Sequence, residues 1–403
     1  MPPVCWAMAG LLGLLLLNAC GRTLQARHDT PTPKPTRPQP TRTSTATATA
    51  EPSPTPSPTP IPPTPTDTPS PTPSVIPTAS ATPTPNGLLG PNNFPAGVNP
   101  LTGLTPEDPS LLERRPIAIK ISNLARVRPQ AGIGSADLLF EHLTEGGITR
   151  FTAVFYTHDA NKVGSVRSAR FVDLDLPLIF DAAFAYSGSA SQVKALLRAS
   201  TFFPRIISPD FGHGGYRRLP QGPNQPFEDT LFTSTYDLRA ILVDRAEERR
   251  PEMRPGLSFH PEAPAGGAPA ARIEVDYGHT AALWVHAPGL NGYLRWSDNA
   301  PHLDANTDRQ LRMQNVVVLE VEHRPNNPPA WMGKSPDLDL RLLGSGRAIL
   351  FRDGQQFEGV WRREGEADGL WLLDTQGAHL PLAPGTTFFQ VVSTGFDGLT
   401  VSQ

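Results

Sequence analysis

An α/β domain followed by a mainly β domain, both set behind a Pro/Thr-rich disordered linker, is the fold class this sequence predicts. Three observations predict it. Strand-like apolar runs alternate with helical spacing between residues 97 and 255, helical spacing disappears from about residue 270 onward, and Thr30 to Pro85 is built almost wholly from Pro, Thr, Ser and Ala.

Taken in order, the chain opens with the apolar run Leu11 to Leu17, followed by Asn18, Ala19 and Cys20. This resembles a bacterial lipoprotein signal peptide with its lipobox. The run is shorter than the roughly 20 apolar residues of a membrane-spanning helix. The expectation is that residues 1–19 are a signal peptide and that Cys20 carries lipid, which anchors the protein to the extracytoplasmic face of the cell membrane. Cys5 and Cys20 are the only cysteines, so the folded part has no thiol. Disulfides, thiolate metal sites and cysteine nucleophiles are thereby excluded from it. Residues 20–96 form the expected linker. Its Pro-rich part has too few apolar side chains to fold and, extended, reaches on the order of 170 Å. Formal net charge is −3, with 35 Lys and Arg against 38 Asp and Glu. No broad basic field exists, so nucleic acid is not an expected partner.

The α/β domain is expected over residues 97–255. Ile117, Ile119 and Ile121 alternate along one strand, Ile148 to Tyr156 gives a second, and Phe180 to Tyr186 a third. Val163 to Val166 is a further short strand candidate. Val193, Leu196 and Leu197 set a helix over 189–200, with Ser189 or Ser191 as N-cap, and a second helix is expected from about Ser234 to Arg249. The Pro/Gly/Ala-rich stretch Arg250 to Pro269 is the natural boundary. Residues 270–395 then carry eight strand candidates, beginning at Ile273, Ala282, Gly292, Val316, Ala348, Gly359, Leu370 and Phe388, with turn signals such as Asp353-Gly354 between them.

The richest set of chemistry-bearing residues is Asp137, Glu141, Glu145, Arg150, Arg167, Arg170, Asp173 and Asp175. If Val163 to Val166 runs into a helix, Arg167 and Arg170 share its face. Two guanidinium groups beside free helix N–H donors make a seat for phosphate or carboxylate. Ser187 and Ser189 add donors on the next strand-to-helix turn, at the carboxyl ends of strands where α/β sheets bind ligands. The competing readings are a structural ion-pair network and a protein–protein surface. The carboxylates also offer hard oxygen ligands for a divalent cation, so Mg²⁺ is a possible cofactor, with none required by any ligand-loop spacing. His213 sits in a flexible Gly-rich loop. Trp284, Trp296, Trp361 and Trp371 recur along the β domain, as core or as a sugar-stacking face.

Several motifs occur together in order: Asn99 to Leu104, Arg115 to Asn123, Arg128 to Ile133 with Ala136 and Asp137, Glu145 to Phe151, and Gly164 to Arg170. Together they resemble the YerB family of bacterial lipoproteins over essentially all of residues 97–395. That resemblance implies a lipid-anchored, two-domain extracytoplasmic protein and supplies no reaction. A more distant similarity, to the LytR-CpsA-Psr enzymes, runs through Ala136 to Leu139, Ser165 to Arg167 and Asp181 to Ser189. It implies a metal-side carboxylate at Asp137 and a pyrophosphate-binding arginine at Arg167. Val166, Ser168 and the Ser187-Gly188-Ser189 turn depart from that family's pattern, which weighs against catalysis more than against binding. The functional expectation is a binding or accessory module for an anionic or glycan ligand, cell-wall glycan among them, or for an envelope protein. The alternative is a Mg-dependent phosphotransferase acting on polyprenyl-pyrophosphate-linked glycopolymers.

Overall fold

The computed structural model describes residues 87–220, 222–326 and 337–403. The expected signal peptide, Cys20 and the linker as far as residue 86 lie outside them.

Strand β1 (Ile117–Ser122) is buried along its whole length. Ile117, Ile119 and Ile121 enter one apolar core, whereas Ala118 enters the other, on the opposite face of the sheet. Such two-sided burial is what a central strand covered by a layer on each face requires. Strand β2 (Leu138–Leu143) follows, then β3 (Thr149–Phe155), which pairs antiparallel with both. The sequence reading does not single out β2 as a strand, because Glu141 and His142 interrupt its apolar run. Both side chains are nonetheless buried.

The eight strands expected in the second half all form. One sheet runs through both halves in the order Trp371–Asp374, Gln355–Arg363, Gly344–Arg352, Asn315–Val321, Thr387–Ser393, β2, β3, β1, Ala183–Ala185 and Ile206–Ile207. Thr387–Ser393, late in the chain, lies parallel to Asn315–Val321 on one side and to β2 on the other. The mixed-sheet N-terminal domain, with its few helices, and the mainly β C-terminal domain are therefore hydrogen-bonded into a single sheet. Phe140 stacks on Phe389 at that junction, with ring centroids 4.4 Å apart. A smaller antiparallel sheet, built around Arg272–Asp276, Ala281–Ala287 and Gly292–Ser297, turns Ile273, Val275, Trp284 and Tyr293 into the core that also holds Ile119 and Phe151.

Two helices differ from expectation at their ends. Ser191–Ala199 is entered through Ala190, with no side-chain cap, so neither Ser189 nor Ser191 caps it. Thr235–Asp244 begins at Ser234, whose Oγ accepts the Asp237 N–H at 3.0 Å, and stops five residues before Arg249. It stops because the Glu247 and Glu248 amides both fold back on the Leu242 carbonyl. The third correction bears on function. Arg167 to Arg170 is extended, not helical. Arg167 N–H bonds the Lys120 carbonyl, Ser187 N–H bonds the Arg167 carbonyl, and Ala169 N–H bonds the Gly188 carbonyl. A segment tied on both sides in this way cannot wind, so Arg167 and Arg170 share no helical face. Trp284 and Trp361 are core residues, and Trp296 and Trp371 are half-buried.

Candidate functional site

Six strands of the large sheet, including β1 and β2, run parallel to one another, so Ser122, Leu143, Ala185, Ile207, Val321 and Ser393 end at one edge. Arg150, at the start of antiparallel β3, comes to the same edge beside His142. The segments Arg167–Arg170 and Ser187–Ser189 cross it. Carboxyl ends of parallel strands are where open α/β sheets gather ligand contacts, and the expected site residues other than Asp137 converge there.

Each cation meets an internal carboxylate. Arg170 grips Glu145 with two nitrogens, Nε donating to Oε2 at 2.6 Å and Nη2 to Oε1. Arg150 donates from Nη2 to the same Oε1 at 3.2 Å and from Nη1 to the Ser168 carbonyl at 3.2 Å. Two guanidinium groups thus share one carboxylate. Burial, helped by the Arg170 charge and opposed by Glu145, pushes Arg150 down to about 9. For Glu145, burial acts to raise its pKa, but the two arginines outweigh it and hold the carboxyl below its usual range. Arg167 points elsewhere, its Nη2 lying 2.9 Å from the fully buried Asp229, which Arg126 also binds. Asp210 accepts from the Gly188 N–H at 2.9 Å and from Ser189 Oγ at 3.2 Å. Ser187 is half-buried beside this turn. His213, on the neighbouring loop, accepts the Ser208 N–H through Nδ1.

Beneath the arginines lies a network that the sequence reading missed. Lys120 is fully buried on β1 and donates to Asp173 Oδ1 at 2.8 Å and Thr152 Oγ1 at 2.9 Å, with His142 Nε2 as a third partner. Burial, only partly offset by Asp173, pushes Lys120 down to about 8. His142 Nδ1 faces the Leu143 carbonyl, so the ring is neutral, with its proton on Nδ1 and Nε2 accepting from Lys120. The available signal was a lysine set among the apolar residues of β1, Ile117-Ala118-Ile119-Lys120-Ile121. A second buried network lies on the opposite face of the sheet. Glu141 pairs with Arg295 at 2.7 Å and accepts from Asn123 and Thr149, and Arg295 reaches His302, whose Nε2 meets Gln130 Oε1 at 2.6 Å.

Asp137 stands apart, at the start of β2. Its Oδ1 accepts from Asn99 Nδ2 at 2.8 Å and Thr157 Oγ1 at 3.0 Å, and its Oδ2 from the Tyr156 N–H at 2.7 Å. A carboxylate so occupied does not fit a Mg²⁺ ligand, which needs lone pairs turned to a cation and further oxygen donors beside it. Among the described residues no group of three or more His, Cys, Asp or Glu side chains is placed to hold a metal ion. Asp137 instead ties the Asn99 turn to the end of β3.

Two family profiles match the sequence, the N-terminal domain of a protein of unknown function (DUF3048) over residues 101–248 and the C-terminal domain of the same family over 273–389. YerB of Bacillus subtilis (strain 168), named as a candidate lipoprotein, is 28% identical over 301 residues, covering 73% of this chain and 85% of that one. The crystal structure of the B. subtilis YerB protein matches with a TM-score of 0.65 at 27% identity, covering 76% of this chain and 99% of its own. The chain belongs to the YerB family. Within this YerB-family fold, Glu145, Arg150, Arg167 and Arg170 all fall in the N-terminal profile, and the C-terminal profile contributes Asn315–Val321 to the shared sheet. Among the described residues no helix is long and apolar enough to cross a membrane.

Proposed function

We propose that this protein is a lipid-anchored accessory module of the cell envelope that binds an anionic group of a wall glycan through Arg150 and Arg170. One observation carries the reading: two guanidinium groups, each nine-tenths or more buried, share a single carboxylate at the carboxyl edge of the parallel strands. Asp337 stands nearby, its Oδ1 4.0 Å from Arg170 Nε, so the second guanidinium is met by a carboxylate only at the limit of an ion pair. Burying cations without matching anions is costly, and an incoming anion offsets that cost. Lipid attachment at Cys20 on the extracytoplasmic face is supported by the lipobox-like Leu17 to Cys20 and by the B. subtilis relative named as a candidate lipoprotein. The Mg-dependent transferase reading finds no support in the bonding of Asp137.

The test is co-sedimentation of the full chain with purified cell walls, before and after phosphatase removal of their phosphate monoester groups. Binding that disappears with those groups, and in Arg150→Gln, supports the reading. Equal binding to stripped walls, or in Arg150→Gln with its melting temperature unchanged, overturns it. A Cys20→Ser chain that still fractionates with membranes would overturn the anchoring.

A further inference from the structure

Three internal carboxylates fill the donor groups of this edge, and they are not equivalent. Asp229 is fully buried, and Asp210 is held by the Ser187–Ser189 turn and by its own backbone bond to the Ser208 hydroxyl. Glu145 is different in three respects. Its side chain is 29% exposed. It sits on a turn whose next two residues, Gly146 and Gly147, have φ of +74° and +72°, a left-handed conformation open to glycine. That turn is closed at its base by Thr144, which bonds the Ile148 carbonyl through both N–H and Oγ1. The turn lies outside the β2–β3 ladder, which ends at Leu143 and Thr149. On its outer side, Glu145 faces a cleft of about 350 Å³ lined by Leu143, Gly146, Gly147, Pro325 and Leu338.

Resting on the arginine-seat reading above, we infer that Glu145 is a built-in occupant which a phosphate monoester displaces, the phosphate taking the Arg150–Arg170 seat and its organic part the adjoining cleft. Charge selects the ligand. Glu145 brings one negative charge to two guanidinium groups, whereas a phosphate monoester brings close to two near neutral pH, with three acceptor oxygens matched to arginine forks. A phosphodiester or carboxylate brings only one and gains nothing over Glu145. The cleft wall of Leu, Pro, Thr and Gly offers small contacts that suit the body of a sugar or a similar neutral group, with Asp337, next to Leu338, 4.0 Å from Arg170 Nε as the carboxylate nearest the seat besides Glu145.

The experiment is calorimetric titration of the full chain and of its Glu145→Gln and Glu145→Ala variants with inorganic phosphate, glucose 1-phosphate and dimethyl phosphate. Removing the competing charge is expected to tighten binding of both dianions by about tenfold or more, equivalent to ~1.4 kcal/mol. Dimethyl phosphate, with one charge, does not bind the wild type measurably, and Arg170→Gln abolishes binding in either background. Glucose 1-phosphate binding more tightly than inorganic phosphate supports occupancy of the cleft; equal affinities overturn the role of the cleft and make free phosphate the ligand. Unchanged affinity in both Glu145 variants, with Arg170→Gln still abolishing binding, overturns displacement but keeps the arginine seat. No binding to wild type or to either Glu145 variant overturns the seat itself.

Discussion

Replacing Asp175 by Asn tests how firmly the two domains are joined away from the shared sheet. Asp175 is fully buried and accepts from Arg341 Nε and Nη2 at 2.8 Å each, from Arg363 Nη1 at 2.9 Å and from the Leu342 N–H at 3.0 Å. All four donors come from the C-terminal half. Asn preserves the volume but removes the charge, leaving the guanidinium of Arg363, itself fully buried, without an anion. Breaking one side of a buried pair costs roughly 3–5 kcal/mol. Arg341 retains 30% of its side-chain exposure and can be rehydrated, so the lower end, about 3 kcal/mol, applies. For a fold of this size that lowers the melting temperature by roughly 6–12 °C, using about 2–4 °C per kcal/mol. Calorimetry on the wild type, Asp175→Asn, Arg363→Met and the double variant gives both the loss and its coupling. A coupling of about 0.5–3 kcal/mol is expected between contacting residues. A loss below about 1 kcal/mol, or strictly additive effects, would refute the claim that this pair holds the halves together.

Three further outcomes follow from the same structure. Acidification should destabilise the protein: burial holds His142 and His302 well below the ordinary histidine value, so the unfolded chain takes up protons below about pH 6.5 that the folded one refuses, at ~1.4 kcal/mol per pH unit per group. His158, raised by its bond to Asp137, contributes in the opposite sense, with stability present below that pH and lost as pH rises through its folded value; burial lowers His213, His286 and His323 as well, so urea midpoints should fall between about pH 6.5 and 5.5, and His302→Gln should flatten the fall. Phe389→Ala removes the ring stacked on Phe140 at the domain junction and should cost about 3–5 kcal/mol, read from the urea midpoint; a loss under about 1 kcal/mol would mean the junction is not packed as described. Gly369→Ala places a Cβ 1.6 Å from the Pro255 carbonyl oxygen, a backbone atom that cannot rotate away, so a loss of about 1–3 kcal/mol is expected; a melting temperature equal to wild type would show that the connector moves freely.

How much of this was legible in the sequence depended on whether a residue acts through its periodicity or through a distant partner. The eight strands of the second half announce themselves by alternation and by turns such as Asp353-Gly354. That Thr387–Ser393 inserts between the domains is invisible to any local pattern, because its register with β2 is fixed by packing such as Phe140 on Phe389. Strand β2 was hidden for the opposite reason: Glu141 and His142 look like surface residues until Arg295 and Lys120 arrive from elsewhere to satisfy them. The expected site residues other than Asp137 lie along one edge of the sheet, yet the helical face for Arg167 and Arg170 failed. Helical spacing presumes a free backbone, and this one is already bonded to Lys120 and Gly188.

The internal carboxylates explain why residue types alone overstate the open basic character of this edge. Asp229, Asp210 and Glu145 each stand where a ligand anion would, so a count of arginines and serines predicts a vacant seat that the fold fills for itself. What separates a structural ion pair from a binding site is then the ease with which its carboxylate leaves. Burial fixes Asp229, and two anchoring bonds fix Asp210. Glu145 alone among the three combines partial exposure, a two-glycine turn and a cleft at its back. A neutral residue at position 145 should therefore change ligand affinity and also lower stability, because Arg150 and Arg170, 9% and 8% exposed, lose the carboxylate they share. At Asp229, where removal strands Arg167 and Arg126, stability should fall without any site being created.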